Sequence, residues 1–302
     1  MRFELTSENP LRLTVISGKG GTGKTTVTAQ LGYILSRIRK IVIADCDVDA
    51  PNLHLLLKPE VVEEKPFFGL KKAKIGEKCT SCGLCYELCR FDAVIEDNGT
   101  YRVDEARCEG CALCYNACPE KAVEMVEGER GKVFISNTEI GKFVHAVLYP
   151  GEENSGKLVM EVKELAKAEA DKEGAAAIIV DGAPGIGCPV IASLANTDVA
   201  IVVTEPTLSG LSDMVRILEL TEHFRIRSSV VINKYDLNDE ISRKIEDECE
   251  RRGIEVLGKI PYDEKIPEQI SMLRFPFKGK AAKEIEKVWE RLRESLSQSL
   301  SS

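Results

Sequence analysis

Apolar residues in this chain gather in two kinds of pattern: short unbroken blocks rich in Val and Ile, and longer stretches in which they recur every three or four positions. The unbroken blocks lie at 11–16, 41–44, 176–180, 199–203 and 229–232, and each reads as a strand covered on both faces. The periodic stretches predict helices. Residues 25–37 place Val27, Leu31, Ile34 and Leu35 on one face, and a charged segment running from 151 to 173 turns Leu158, Val162, Leu165 and Ala166 inward. Residues 209–224 carry Leu211, Val215, Leu218 and Leu220, and residues 280–300 align Ile285, Val288, Trp289, Leu292 and Leu296 on a single stripe. The polar face of that last helix mixes acids and bases, so it is expected to dock on the sheet rather than seek a membrane. Buried strands joined by crossover helices predict an α/β fold, a mostly parallel sheet with helices on both faces.

Between the first block and the first helix stands Gly18-Lys19-Gly20-Gly21-Thr22-Gly23-Lys24-Thr25, which fits the G-x-x-x-x-G-K-[ST] pattern of a phosphate-binding loop. Glycines let successive N–H groups turn inward around an anion, and the helix that follows adds its unpaired N-terminal donors. Gly20, Gly21, Thr22, Gly23, Lys24, Thr25 and Thr26 are therefore candidate nucleotide contacts, with Lys24 reaching the outer phosphates and the Thr25 hydroxyl directed to Mg²⁺. Asp181 ends the block at 176–180 and fits the second Mg²⁺-side carboxylate of such an enzyme. Asp45 and Asp47 end the second block, where acidic groups face the ligand crevice of an open α/β sheet. Asn233-Lys234-Tyr235-Asp236 has the N-K-x-D form of a guanine reader, and Ile260-Pro261-Tyr262-Asp263 follows the last strand as a second base-pocket segment, with Pro261 a candidate contact.

The extra lysine inside the loop, Lys19, resembles the deviant phosphate loop of the MinD/ParA and nitrogenase-iron-protein superfamily of ATPases. That resemblance implies ATP and Mg²⁺ as cofactors and an ATP-dependent homodimer, with Lys19 crossing the interface to the partner's phosphates. It implies that Asp47 orients the attacking water, that Asp45 lies near the Mg²⁺ shell, and that Asn233 contacts adenine, which favours ATP over GTP. Cys188, in Gly187-Cys188-Pro189, stands at the offset where the nitrogenase iron protein carries an interface cluster ligand. No second such cysteine accompanies it, so it reads as a small buried residue at a helix start; Cys46 and Cys249 also read as structural.

The other eight of the 11 cysteines fall in two matched runs. Cys79-x-x-Cys82-x-x-Cys85-x-x-x-Cys89 is repeated as Cys108-x-x-Cys111-x-x-Cys114-x-x-x-Cys118-Pro119, with short strands expected at 93–95 and 122–126. Thiolates so spaced can wrap three corners of a cubane and send the fourth to a neighbouring cluster, the bacterial-type ferredoxin arrangement. By it Cys79, Cys82, Cys85 and Cys118 hold one [4Fe–4S] cluster, and Cys89, Cys108, Cys111 and Cys114 hold another. Zinc is the alternative occupant of the C-x-x-C pairs. The resulting division is an ATPase of residues 1–60 and 150–302 interrupted by a ferredoxin insert at 61–149.

In 302 residues with 43% hydrophobic content there is material for such cores, and a net charge of -8 without a basic run argues against nucleic acid as a partner. No apolar run approaches a membrane span and no signal peptide is legible, so a cytoplasmic protein is expected. The leading functional expectation is an ATP-hydrolysing dimer that couples its nucleotide state to electron transfer, acting on an unidentified redox or cluster-accepting protein. The alternatives are a cluster carrier of the Mrp type and a positioning ATPase like MinD or ParA.

Overall fold

The computed structural model describes residues 4–152 and 155–299. In chain order the elements are β1 (Leu11–Ser17), α1 (Lys24–Ser36), β2 (Ile41–Asp45), α2 (Leu53–Leu57), β3 (Glu60–Phe68), β4 (Lys72–Ile75), α3 (Leu84–Leu88), β5 (Val94–Asp97) and β6 (Thr100–Val103). They continue with α4 (Leu113–Ala117), β7 (Val123–Val126), β8 (Glu129–Thr138), β9 (Gly141–Leu148), α5 (Ser155–Glu173), β10 (Ala177–Pro184), α6 (Cys188–Leu194) and β11 (Val199–Thr204). The last part holds α7 (Leu208–His223), β12 (Arg227–Asn233), α8 (Asp239–Arg252), β13 (Glu255–Ile260), α9 (Lys265–Ser271) and α10 (Lys280–Ser299). Leu300, expected as the last residue of the final helix, lies outside the described residues.

The chain divides into two compact units, one of Met1–Glu64, Val133–Ala146 and Ser155–Ser302, the other of Lys65–Lys132 and Val147–Asn154. The division falls inside β3, β8 and β9 rather than at 61 and 149. In the first unit β13-β12-β11-β1-β10-β2-β9 pair in that order, and each neighbouring pair runs parallel. Beyond β9 the sheet adds β8 and β3. No block expected from the sequence covers these three strands, and β3 is exposed along most of its length and so carries no apolar run.

Both faces of the sheet are covered, as the Val/Ile blocks require. On one face α1 and α10 pack Val27, Leu31, Leu35, Ile285, Val288, Trp289, Leu292 and Leu296 against β-strand residues such as Leu13, Ile43 and Ile179. The expected stripe on the last helix is thus buried core, each large side chain worth about 1.5–3 kcal/mol of transfer free energy. On the other face α7 contributes Met214, Ile217 and Leu218, with Leu211, Val215 and Leu220 only partly buried at its flanks. The buried stripe is therefore rotated from the expected one, because the helix lies with its Met214–Ile217 side on β11 and β12.

A stack of rings closes the β8–β9 end of this unit. His145 lies parallel to Phe143 at 4.6 Å, to Phe134 at 5.0 Å and to His54 at 6.1 Å between centroids. Burial, with a smaller contribution from His54, pushes His145 down from 6.5 to about 4. Its folded form stays neutral where the unfolded chain takes up a proton. The sign follows: stability is full above pH 6.5 and falls by about 3 kcal/mol as pH drops through this window. Urea titrations between pH 7 and pH 4 are expected to show this decline, and His145→Phe is expected to flatten it; equal slopes in the two proteins would remove His145 as the cause.

The second unit is built from two small antiparallel ladders, β4 with β7 (Ile75 opposite Val123) and β5 with β6 (Val94 opposite Val103). Each cysteine run leads into a one-turn helix, α3 or α4, and then into a strand. Lys72 and Arg130, both buried, meet on Glu152, at 2.9 Å and 3.1 Å, and Arg130 reaches Glu105 at 3.0 Å. Buried cations are stable here because each carries a carboxylate partner.

Candidate functional site

β1 stops at Ser17, and the chain makes a glycine loop before α1 begins at Lys24. Gly21 and Gly23 sit in the left-handed region at φ 81 and 93, which explains glycine at both. A side chain at Gly23 would also collide with Asn233, whose Nδ2 lies 2.2 Å from where a Cβ would stand. Asn233 Nδ2 donates to the Thr22 carbonyl at 2.7 Å and Lys234 Nζ to the Gly21 carbonyl at 3.2 Å, so the end of β12 clamps the loop from one side. No side chain caps α1, which leaves its first N–H groups for a ligand. The buried Thr22 hydroxyl likewise has no hydrogen-bond partner among the described residues. Bare donors around an anion-sized loop fit a phosphate.

The parallel register places Asp181 beside Asp45 on the neighbouring strand. Lys24 Nζ lies 3.0 Å from Asp181 Oδ1 and 3.6 Å from Asp47 Oδ2. Thr25 donates its hydroxyl to Asp181 Oδ2 at 2.7 Å, and Thr28 to Asp181 Oδ1 at 2.8 Å. Asp45 accepts from the backbone N–H of Asp47 at 3.1 Å and of Leu53 at 3.3 Å. Lys24 is 5% exposed and Asp181 and Asp45 are sealed, so these charges act on one another with little screening. Burial and the charge of Asp181 push Asp45 well above the usual carboxylate range, and burial raises Asp47 against the pull of Lys24. For Lys24 burial pulls down, but Asp181, Asp47 and Asp45 outweigh it and the ammonium is held above its ordinary value.

Three carboxylates against one ammonium leave an excess of negative charge on hard oxygen donors. Mg²⁺ takes one or two carboxylates, and Asp45 and Asp181, with the Thr25 hydroxyl on Asp181, are oxygen donors of that kind. Thr28 is a residue the loop pattern did not single out; its signal is only that it stands one helical turn after Lys24, whose carbonyl its hydroxyl also meets at 3.0 Å.

A cavity of about 390 Å³ beside the loop is lined by Gly23, Thr26, Asn233, Pro261, Tyr262 and Ile285, among others. Its walls are mostly apolar, suited to a planar base. Asp236 is not among them: its carboxylate accepts from the Tyr262 N–H at 2.7 Å. Gly20 is exposed at the loop tip. Lys19 turns to its own chain, pairing with Glu205 at 2.7 Å and donating to Ser209 at 3.1 Å and Thr207 at 3.4 Å.

Cys188 is exposed, which corrects the expectation of a buried residue: it opens α6, and its side chain points away from the core that α6 makes with Val190 and Leu194. Cys46 and Cys249 are buried as expected, with burial pushing their thiols up to about 12 and about 11.

In the second unit one pocket is lined by Cys79, Cys82, Cys85 and Cys118 together, so the fourth cysteine of the second run joins the first three of the first. The Cys114 thiol is raised by burial and, more weakly, by Cys108 and Cys111. Backbone N–H groups point at the fourth sulfur of each run in matched fashion, Ala93 to Cys89 at 3.4 Å and Ala122 to Cys118 at 3.3 Å. Among the described residues no group of three or more His, Cys, Asp or Glu is arranged to hold a metal ion, and this includes the eight cysteines. Neither the zinc alternative nor the two expected clusters therefore has an arranged ligand set among the described residues.

A parallel sheet with a glycine loop and facing carboxylates at its strand ends defines a phosphate-loop nucleotide-binding protein. The chain belongs to the CobQ/CobB/MinD/ParA nucleotide binding domain family, whose profile matches residues 13–276. It is 31% identical over 288 residues to an uncharacterized protein of Methanocaldococcus jannaschii, covering 94% of this chain and 97% of that one. To the septum site-determining protein MinD of Synechocystis sp. it is 26% identical over 263 residues, 84% of this chain and 77% of the relative. Among solved structures, MinD of Pyrococcus horikoshii complexed with Mg-ADP shares the fold, with a TM-score of 0.58 at 19% identity over 95% of this chain and 97% of that one. MinD/ParA members of the family are nucleotide-binding ATPases. No helix among the described residues is long and apolar enough to cross a membrane.

Proposed function

We propose that this chain is a MinD/ParA-type ATPase that binds Mg-ATP in the glycine loop, pairs with a second copy and hydrolyses the nucleotide. The observation that carries the reading is the cluster of Lys24, Thr25, Asp45, Asp47 and Asp181 at the loop, in which Lys24, Asp45 and Asp181 are buried. Lys24 and the N–H groups of residues 20–26 neutralise phosphate oxygens. Thr25, Asp45 and Asp181 would hold Mg²⁺, which supplies charge neutralisation at the outer phosphates. Asp47, close to Lys24 and less deeply buried than its neighbours, orients the attacking water. Asn233 and Pro261 line the base cavity while Asp236 is engaged elsewhere, which favours adenine over guanine.

Lys19 acts on the partner's phosphates in this reading. Sedimentation of the anaerobically prepared protein with ATP is expected to show a dimer that ADP does not produce, and Lys19→Ala is expected to abolish it. An unchanged dimer in that variant would overturn the assignment. GTP in place of ATP is expected to support neither dimer nor turnover.

A second reading rests on the pocket that gathers Cys79, Cys82, Cys85 and Cys118. The inserted unit would bind two [4Fe–4S] clusters, the other on Cys89, Cys108, Cys111 and Cys114, and the nucleotide state would gate electron transfer to a redox partner. What supports it is donor chemistry: four cysteine thiolates around one pocket are the ligands a cubane takes, and zinc is the competing occupant that iron and zinc analysis distinguishes. ATP turnover indifferent to a low-potential reductant would count against the coupling and leave the ATPase standing.

A further inference from the structure

Lys19 has a complete set of partners on its own chain. An ammonium carries three protons. Here they meet Glu205 Oε1 at 2.7 Å, Ser209 Oγ at 3.1 Å and Thr207 Oγ1 at 3.4 Å. Glu205 lies just beyond the end of β11, on the strand next to β1, and its other oxygen takes Lys234 at 3.4 Å. Lys234 in turn holds the Gly21 carbonyl at 3.2 Å, so one carboxylate ties both ends of a brace over the phosphate loop. The acceptors are held in place. Thr207 caps α7 by accepting the Gly210 N–H at 2.9 Å, and a Cβ on Gly210 would come within 2.3 Å of the Glu205 carbonyl. Glu205 is 17% exposed at its side chain and Lys19 32%, so the pair is only partly screened by water. Burial alone would raise the Glu205 carboxyl, but the hydrogen bond from Lys19 and the charge of Lys234 hold it below its ordinary value.

We propose that Glu205 is a latch for Lys19, a positioning residue that keeps the loop lysine on its own chain until a second, nucleotide-loaded copy offers phosphate oxygens in exchange. The proposal rests on the reading that Lys19 acts across a dimer. Its physical content is competition: the same ammonium cannot satisfy Glu205 and a phosphate on the other chain, so the free energy of the intrachain contacts opposes pairing of the protomers. Lys234 keeps its hold on Glu205 and Gly21 after Lys19 leaves, and the loop stays formed. A protomer without a partner is thereby kept from presenting a bare lysine to adventitious anions.

Glu205→Gln keeps the size and an acceptor oxygen but removes the negative charge. ATP-dependent dimerisation, followed by analytical ultracentrifugation across protein concentration, is expected to reach its half-point at about tenfold lower concentration in this variant. Glu205→Asp, which restores the charge, is expected to stay within about twofold of the unchanged protein, and Ser209→Ala, which removes one of the three contacts, to shift the half-point about twofold to threefold in the same direction as Gln. Binding of a fluorescent ADP to the protomer serves as the fold control and is expected to be equal in all of them. The double variant Lys19→Ala/Glu205→Gln is expected to behave as Lys19→Ala alone, since the gain requires the lysine. Unchanged or weaker dimerisation in Glu205→Gln, with Lys19→Ala still abolishing it, would overturn the latch alone. Full dimerisation of Lys19→Ala would overturn the underlying reading and the latch with it.

Discussion

Replacing Lys24 by Met is expected to remove ATP hydrolysis, by roughly 10²–10³-fold or more, and also to destabilise the nucleotide-free protein by about 3–5 kcal/mol. The two effects share a cause. Asp181 is fully buried and Asp45 nearly so, and Lys24 is the ammonium within ion-pair distance of Asp181 and Asp47. Without it three carboxylates crowd one site, two of them buried, and the fold must take up protons or lose water-excluding contacts around them. Methionine is an unbranched side chain only one atom shorter, so the loss reports charge far more than a cavity. Urea unfolding with and without millimolar Mg²⁺ checks this: the cation is expected to recover more stability in the variant than in the unchanged protein. A variant that is inactive yet equally stable would place the lysine charge outside the balance of the buried cluster.

The second large effect concerns the cysteines. If the inserted unit holds two [4Fe–4S] clusters, the chain prepared and reconstituted without oxygen is expected to contain about eight iron atoms, and Cys118→Ser to lose about half of them. The reason is the crossed pairing. Cys118 belongs in sequence to the second run, but it lines the pocket of Cys79, Cys82 and Cys85. Cys82→Ser and Cys118→Ser are therefore expected to affect the same cluster and give the same electron paramagnetic resonance spectrum on reduction, while Cys89→Ser and Cys111→Ser affect the other. Binding of Mg-ATP is expected to be unchanged in all four, since every residue assigned to the nucleotide lies in the first unit. Spectra that group by run instead, Cys118 with Cys111, would break the crossed assignment; a chain that retains no iron would remove the clusters altogether.

How much of this site was legible depends on whether each residue's role is set by its neighbours in sequence. Lys24, Thr25 and the glycines declare themselves because a strand, a tight loop and a helix N-terminus are consecutive, and the backbone needs glycine at Gly21 and Gly23 whatever the rest of the chain does. Asp45, Asp47 and Asp181 were legible because carboxylates at the ends of parallel buried strands have one place to go. Thr28 and Glu205 were not. Their roles come from side chains that meet only when β1, β10 and β11 lie side by side. Cys188 was misjudged for the converse reason: a small residue in an apolar stretch reads as buried, but the direction it faces is set by how α6 packs.

By itself the sequence determined the sheet's parallel half, the phosphate loop and its two lysines, and the duplicated cysteine spacing, because each is a local pattern whose physical requirement is met within a few residues. Tertiary structure decided the rest. It set the order of nine strands, including β3 and β8 that no apolar run announced, and it brought Cys118 to the pocket of the other run. It also turned Asp236 away from the base cavity and Lys19 onto Glu205. These are choices among partners distant in sequence, and a chain's local preferences are silent on them until burial of the apolar strands and helices fixes which surfaces meet.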